Sequence, residues 1–368
     1  MQLTQNTSFE TLIRVRDRIQ KWIDKQDTTQ PLLLSNLRLA SLPELPETVE
    51  ILHIDNNRLS ILDGKSLPPR LRKLLCYNNV KLRYITNLPD TLTHLECDNN
   101  YLSALTHLPS SLEYLTCSSN NIQYIDKLPP NLTYLNCSCN LITSLPDMNK
   151  TIKILYCSVN RIKRLPANLP NTLQKLYCSS NQISDISNLP NSLVTLKCSR
   201  NRLNSLPDNL PSSLQNLECS SNRGITQLPE TLPHSLINLH CDSCTIRNIP
   251  DTLPSQLTVF TCSHNNITHI PMSNLPSTLT TLHCNSNLLN GNLYIPKHIH
   301  YISVSHNKLK GIYGIHSNLQ YLNMYDNPVL FSKKTEGEFM YSQYMSEIMN
   351  TYRSIEIVYF DEICASVF

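Results

Sequence analysis

Apolar positions return along this chain in one repeating frame, LxxLxCxxNx(L/I)xx(L/I). Leu112, Leu115, Cys117, Asn120, Ile122 and Ile125 make one copy, and Leu132, Leu135, Cys137, Asn140, Ile142 and Leu145 make the next. Inside each copy the segment xLxCx alternates faces. Leu115 and Cys117 turn inward while Tyr114, Thr116 and Ser118 turn outward, which predicts a short strand. Eleven cysteines (76, 97, 117, 137, 157, 178, 198, 219, 241, 262 and 284) mark the frame at intervals of 20 to 22 residues, and a period of that length marks a solenoid. Fourteen copies run from Val49 to Val329, opening with Ile54 in the cysteine place and closing with Val304 and Met324 there. A degenerate half-turn, Leu34 to Pro43, precedes them.

Strands in this register stack into one parallel sheet on the concave side. The remaining residues of each turn must carry the chain back across the convex side. Prolines and short length exclude an α-helix there, so extended or polyproline-II segments are predicted. Asparagine follows each cysteine by three residues, from Asn100 through Asn287, and its amide is expected to bond backbone groups of its own and neighbouring turns. Cys244 stands where one of these asparagines should be, a variant of the frame. An extra residue near Val80–Leu82 and another near Arg223–Ile225 predict small local irregularities.

The ends differ from the array. Residues 7 to 24 predict a helix, with Thr7 and Glu10 as a capping box and Phe9, Leu12, Ile13, Ile19, Trp22 and Ile23 on one face; Pro31 ends the segment. Such a helix caps the first turn of a solenoid. Glu336 to Tyr352 predicts an amphipathic helix and Ser354 to Asp361 a strand, together closing the other edge of the sheet. The expected organisation is therefore a helical cap over 1–30, repeats over 31–329 and a helix-plus-strand cap over 330–368.

These LxxLxCxxN copies, with LPxxLP linkers such as Leu165-Pro166 with Leu169-Pro170 and Leu206-Pro207 with Leu210-Pro211, resemble leucine-rich-repeat proteins of the short class. They are most similar to the YopM and IpaH families of bacterial effectors; similar repeats occur in proteins of giant amoebal viruses. The resemblance implies a horseshoe-shaped repeat solenoid and a pathogen or viral effector that binds a host cytosolic protein. IpaH-type relatives add a ubiquitin-ligase domain after the repeats, which residues 330–368 do not supply, so ligase activity is not carried over. The YopM-like arrangement without an enzyme is the one implied.

Composition narrows the class of function. A net charge of +3 is too small for the basic stripe that a phosphate-binding face needs, so nucleic acid is not an expected partner. No run of 18 apolar residues is present to span a membrane, and no signal peptide is recognisable. Cysteines in one interior column behave as small hydrophobes, and a regular parallel stack does not bring them to disulfide geometry. Reduced thiols, a cytoplasmic location and a monomer are expected.

No catalytic constellation appears: there is no phosphate loop and no nucleophile elbow. His240 and His283 face away from Cys241 and Cys284 on an alternating strand, so no metal and no cofactor are expected. Outward positions carry the remaining interest. Tyr114, Tyr134, Tyr156 and Tyr177 lie on consecutive turns beside Ile154, Lys175 and Lys197, an amphipathic patch of the kind that anchors protein partners; strand preference alone would also place tyrosines there. A second group, His240, His264, His283, Tyr301, His306 and Tyr321, would make a later contact pH-sensitive. A serine row from Ser118 to Ser220 reads as structural. The expected function is a non-enzymatic protein-binding scaffold. The alternatives are a self-assembling structural component, an enzyme, or a substrate-recognition adaptor for a separate enzyme.

Overall fold

The computed structural model describes residues 9–328 and the backbone of a strand at Glu356–Val358. The chain forms two compact units, Met1–Ile183 with Asn188–Leu193, and Ser184–Ser187 with Val194–Phe368. In the first, Leu32–Leu33, Ile51–His53, Lys73–Leu75, His94–Glu96, Tyr114–Thr116, Tyr134–Asn136, Ile154–Tyr156 and Lys175–Tyr177 pair in parallel, each with the next. In the second, the succession is Thr195–Lys197, Asn216–Glu218, Asn238–His240, Val259–Thr261, Thr281–His283, Tyr301–Ser303, Tyr321–Asn323 and Glu356–Val358. The helix predicted over Glu336 to Tyr352 lies outside the described residues, as does Thr7 of the proposed cap.

Register is one repeat per strand: Leu115 faces Leu135, and Leu135 faces Leu155. The middle leucine of each strand and the cysteine two residues later therefore form columns, and all eleven cysteine rungs are fully buried. The thiols also act as weak donors. Cys97 Sγ donates to the Thr116 carbonyl at 3.2 Å and Cys137 Sγ to that of Tyr156 at 3.4 Å, each on the next turn. Burial pushes the Cys137 and Cys178 thiols up to about 12 and holds Cys97, Cys117 and Cys157 well above the usual thiol range.

Asparagine amides tie each turn to its neighbours. Asn120 Nδ2 donates to the carbonyls of Cys97 and Cys117 at 3.0 and 3.1 Å, and its Oδ1 accepts from Leu102 N at 3.0 Å. Asn140 repeats the pattern one turn on. Where cysteine replaces asparagine, Cys244 Sγ reaches the Cys219 and Asp242 carbonyls at only 3.6 and 3.7 Å. The two extra residues are absorbed as tight turns, Leu82 N to Asn79 O at 2.8 Å and Ile225 N to Asn222 O at 3.1 Å. A second set of ties comes from hydroxyls: Thr91 Oγ1 donates to the Pro69 and Leu71 carbonyls and Thr278 Oγ1 to those of Ser255 and Leu257.

Two expectations need correction, those for the leading half-turn and for the helix face; the return side is extended as predicted, and in places it pairs into short strands. Ile61–Asp63 pairs with Tyr84–Thr86, Ala104–Leu105 with Tyr124–Ile125, and Asn290–Tyr294 with Lys308–Tyr313, because β-preferring residues recur there on adjacent turns. The leading half-turn has its own strand: Leu32 and Leu34 are fully buried or nearly so, and Asn57 Oδ1 accepts from both Leu37 N and Leu39 N. In the helix Phe9–Asp24 the buried line is Val15 and Trp22 flanked by Leu12 and Ile19, whereas Phe9, Ile13 and Ile23 stay exposed. Apolar residues span too wide an arc of this helix for one strand edge to cover. Arg18, absent from the predicted face, donates to the carbonyls of Leu33 and Ser35 at 3.1 and 2.9 Å and so covers free acceptors of the edge strand.

Candidate functional site

The outward positions of the first unit form two columns, one from the first and one from the third residue of each strand. Tyr114, Tyr134, Ile154 and Lys175 occupy the first; Thr116, Asn136, Tyr156 and Tyr177 occupy the second. The four tyrosines therefore do not share a column. Tyr114 and Tyr134 stack in the first at 4.4 Å, and Tyr156 and Tyr177 in the second at 4.2 Å. Between them the row steps diagonally across the face, Tyr134 to Tyr156, with ring centroids 5.7 Å apart and planes tilted by 45°. Ile154 fills the first-column place that the step vacates.

His94 extends the row, stacked on Tyr114 at 5.6 Å with its Nδ1 2.9 Å from Thr93 Oγ1. It stands in the same strand position as Tyr114 and Tyr134, so the repeat register contained the signal; attention to tyrosine alone missed it. Stacked rings cover one another's faces and present edges and hydroxyls outward. Burial, and then the Glu96 carboxylate, push the Tyr114 phenol up; burial and then Tyr114 do the same for Tyr134. Both hydroxyls remain donors at neutral pH.

Carboxylates flank the start of the row. Asp98 accepts from Thr116 Oγ1 at 2.5 Å, Ser118 N at 2.6 Å and Ser118 Oγ at 2.5 Å, so the first member of the serine row anchors a carboxylate cradle. Glu96 pairs with Lys73 at 3.5 Å. Lys153 and Lys175 lie exposed toward the other end of the row. Lys197 belongs to the second unit, where its Nζ is 2.6 Å from Glu218 Oε1.

At the bend after each strand one residue takes a left-handed conformation, with φ of 51–59° at Asn56, Asn78, Asn99, Ser119, Cys139, Val159, Ser180 and their later equivalents. With only six glycines in the chain, asparagine and serine do most of this work. Val159 departs from it: a β-branched side chain at φ 56°, 51% exposed, in a conformation that costs a non-glycine residue about 1–2 kcal/mol. Backbone bonds on both sides hold it there, Val159 N to Ser179 O at 2.9 Å and Asn140 N to Val159 O at 3.1 Å.

The second predicted group falls into three rows of the second unit. His240 and His283 share the third strand position, Tyr301 and Tyr321 the first, and His264 and His306 the left-handed bend. His240 Nδ1 lies 3.0 Å from Thr261 Oγ1, and His306 Nδ1 2.8 Å from Asp326 Oδ2. Burial lowers the His283 imidazole below its usual value, opposed by Asp242. Among the described residues no group of three or more His, Cys, Asp or Glu converges to hold a metal, and no helix is long and apolar enough to cross a membrane.

Comparison with known proteins gives consistent matches. The family described as leucine-rich repeats (2 copies) matches residues 150–191. YopM from Yersinia pestis, described as a leucine-rich effector protein, is 30% identical with a TM-score of 0.74, over 88% of this chain and 91% of that one. YopM from Yersinia enterocolitica is 28% identical with a TM-score of 0.68, over 88% and 79%. The functional domain of InlJ from Listeria monocytogenes, which includes a cysteine ladder, is 25% identical with a TM-score of 0.52, over 75% and 68%. No curated protein sequence matches.

Proposed function

Because the chain belongs to the leucine-rich-repeat family, we propose that it is a non-enzymatic scaffold that binds a protein partner on the strand face of its first unit. The observation that carries this reading is the diagonal row His94–Tyr114–Tyr134–Tyr156–Tyr177. Packing within one column would satisfy aromatic strand residues by itself. Here the row crosses columns, places Ile154 in the gap and keeps five polar-tipped rings half in solvent, which suits a binding surface. Likeness to a leucine-rich effector supports a host cytosolic protein as the partner, met in a reducing compartment where the buried thiol column stays reduced.

Affinity purification from host cytosol with the wild-type chain and with a Tyr156→Ala/Tyr177→Ala variant tests the assignment. A specifically retained protein should bind the variant more weakly by ~2 kcal/mol or more. The same proteins recovered in the same yield on both would remove the strand face of this unit from consideration.

A further inference from the structure

Two properties of this face say what kind of segment it fits. The first is charge order. Glu96 and Asp98 stand at one end of the aromatic row, with Lys73 paired to Glu96. Lys175 stands at the other end and Lys153 just before the preceding strand, Ile154–Tyr156, both exposed and in no ion pair among the described residues. The second is Val159. It follows Tyr156 by three residues on the same turn, exposed and in a backbone conformation that a β-branched side chain disfavours. Solvated, it adds little to the core, and the flanking turns carry the unbranched Cys139 and Ser180 in its place. Strain kept at an exposed position beside an aromatic patch is a mark of a binding contact.

The spacing sets the length of the segment. Five strands, from His94–Glu96 to Lys175–Tyr177, are four steps of about 4.8 Å, roughly 19 Å in all, which an extended chain crosses in about six residues. In the middle the row steps between columns from Tyr134 to Tyr156, with ring centroids 5.7 Å apart against 4.2 and 4.4 Å in the two stacks, and half-buried Ile154 lies beside that step.

We propose that the partner presents an extended polypeptide segment running across these strands. It places a basic residue toward Glu96 and Asp98, an apolar side chain against Tyr134, Ile154, Tyr156 and Val159, and an acidic residue toward Lys153 and Lys175. This rests on the protein-binding reading given above and adds the charge order and the central contact.

The test is selection of random linear peptides, displayed on phage, against the immobilised full chain and three variants. Wild type should enrich peptides with opposite charges roughly six residues apart around an apolar residue. A Glu96→Lys/Lys175→Glu chain should enrich the reverse charge order. Val159→Asn should unfold at higher urea, its backbone strain relieved, yet enrich the wild-type peptides about tenfold less. Peptides that require Tyr134 and Tyr156, judged by loss on a Tyr134→Ser/Tyr156→Ser chain, but that keep one charge order on both the wild-type and the charge-reversed chain or ignore Val159→Asn, overturn this inference and leave the protein-binding reading intact. If no captured peptide depends on Tyr134 and Tyr156, both are wrong.

Discussion

Replacing Asn120 by alanine removes one amide tie and strands one backbone donor. Its three acceptor carbonyls all retain another partner: Cys97 O keeps Asn100 Nδ2 at 2.8 Å, Cys117 O keeps Asn140 Nδ2 at 3.0 Å, and Ser118 O keeps Asn99 N at 2.9 Å. Leu102 N has no such reserve, because Asn120 Oδ1 is its acceptor. The principal cost is thus one buried, unpaired N–H, ~1–3 kcal/mol, with a smaller loss from the three weakened carbonyls. A total of about 2–4 kcal/mol is expected for Asn120→Ala. Asn120→Cys should fall between wild type and alanine, since Cys244 already occupies the equivalent place with long sulfur contacts of 3.6 and 3.7 Å. Asn57→Ala should exceed Asn120→Ala because two donors, Leu37 N and Leu39 N, depend on that one oxygen. Urea unfolding followed by circular dichroism measures the cost, and hydrogen exchange at the Leu102 amide reports the stranded donor directly. A loss below ~1 kcal/mol with undiminished protection of Leu102 would refute the claim that the amide column closes the turns.

Other consequences are as readily checked. Under native conditions iodoacetamide should alkylate the exposed Cys139 quickly and the eleven buried rungs only on unfolding, as peptide mass spectrometry would show; fast modification of Cys117 or Cys137 would contradict their burial. His283 is held below its usual value of 6.5 by burial, so as pH falls through 6.5 the unfolded chain takes up the proton first. Its contribution to stability is therefore undiminished above that pH and declines below it, and His283→Gln should flatten the fall in urea midpoint between neutral and mildly acid pH. Arg18→Ala should expose the Leu33 and Ser35 carbonyls and loosen the helix Phe9–Asp24, costing about 1 kcal/mol and raising exchange in its last two turns; an unchanged helix would mean that Val15 and Trp22 hold it alone.

Much of the site was legible because register is legible. Once Leu115 and Cys117 are inward, Tyr114 must be outward, and the same holds on every turn. The columns were harder. Tyr114 precedes its cysteine by three residues and Tyr156 precedes its own by one, so the sequence contains the diagonal, but its meaning as a step between two stacks needs ring positions. His94 escaped because a search for tyrosines passes over an imidazole in the equivalent place. That Lys197 pairs with Glu218 at 2.6 Å is likewise a matter of side-chain placement that the repeat register does not contain. The helix misled for a different reason: its apolar arc is wider than the surface it covers, and only docking selects Val15 over Phe9.

A solenoid makes the division between the two levels unusually clear. The chain alone determined the parallel turns, the buried cysteine column and the asparagine ties, because a residue repeated once per turn meets copies of itself at a spacing the backbone sets. Tertiary structure decided what is not repeated: which rings stack, which charges pair, which return segments find a partner strand, and where a valine is held against its preference. Those depend on side-chain positions across neighbouring turns, and a one-dimensional period does not contain them.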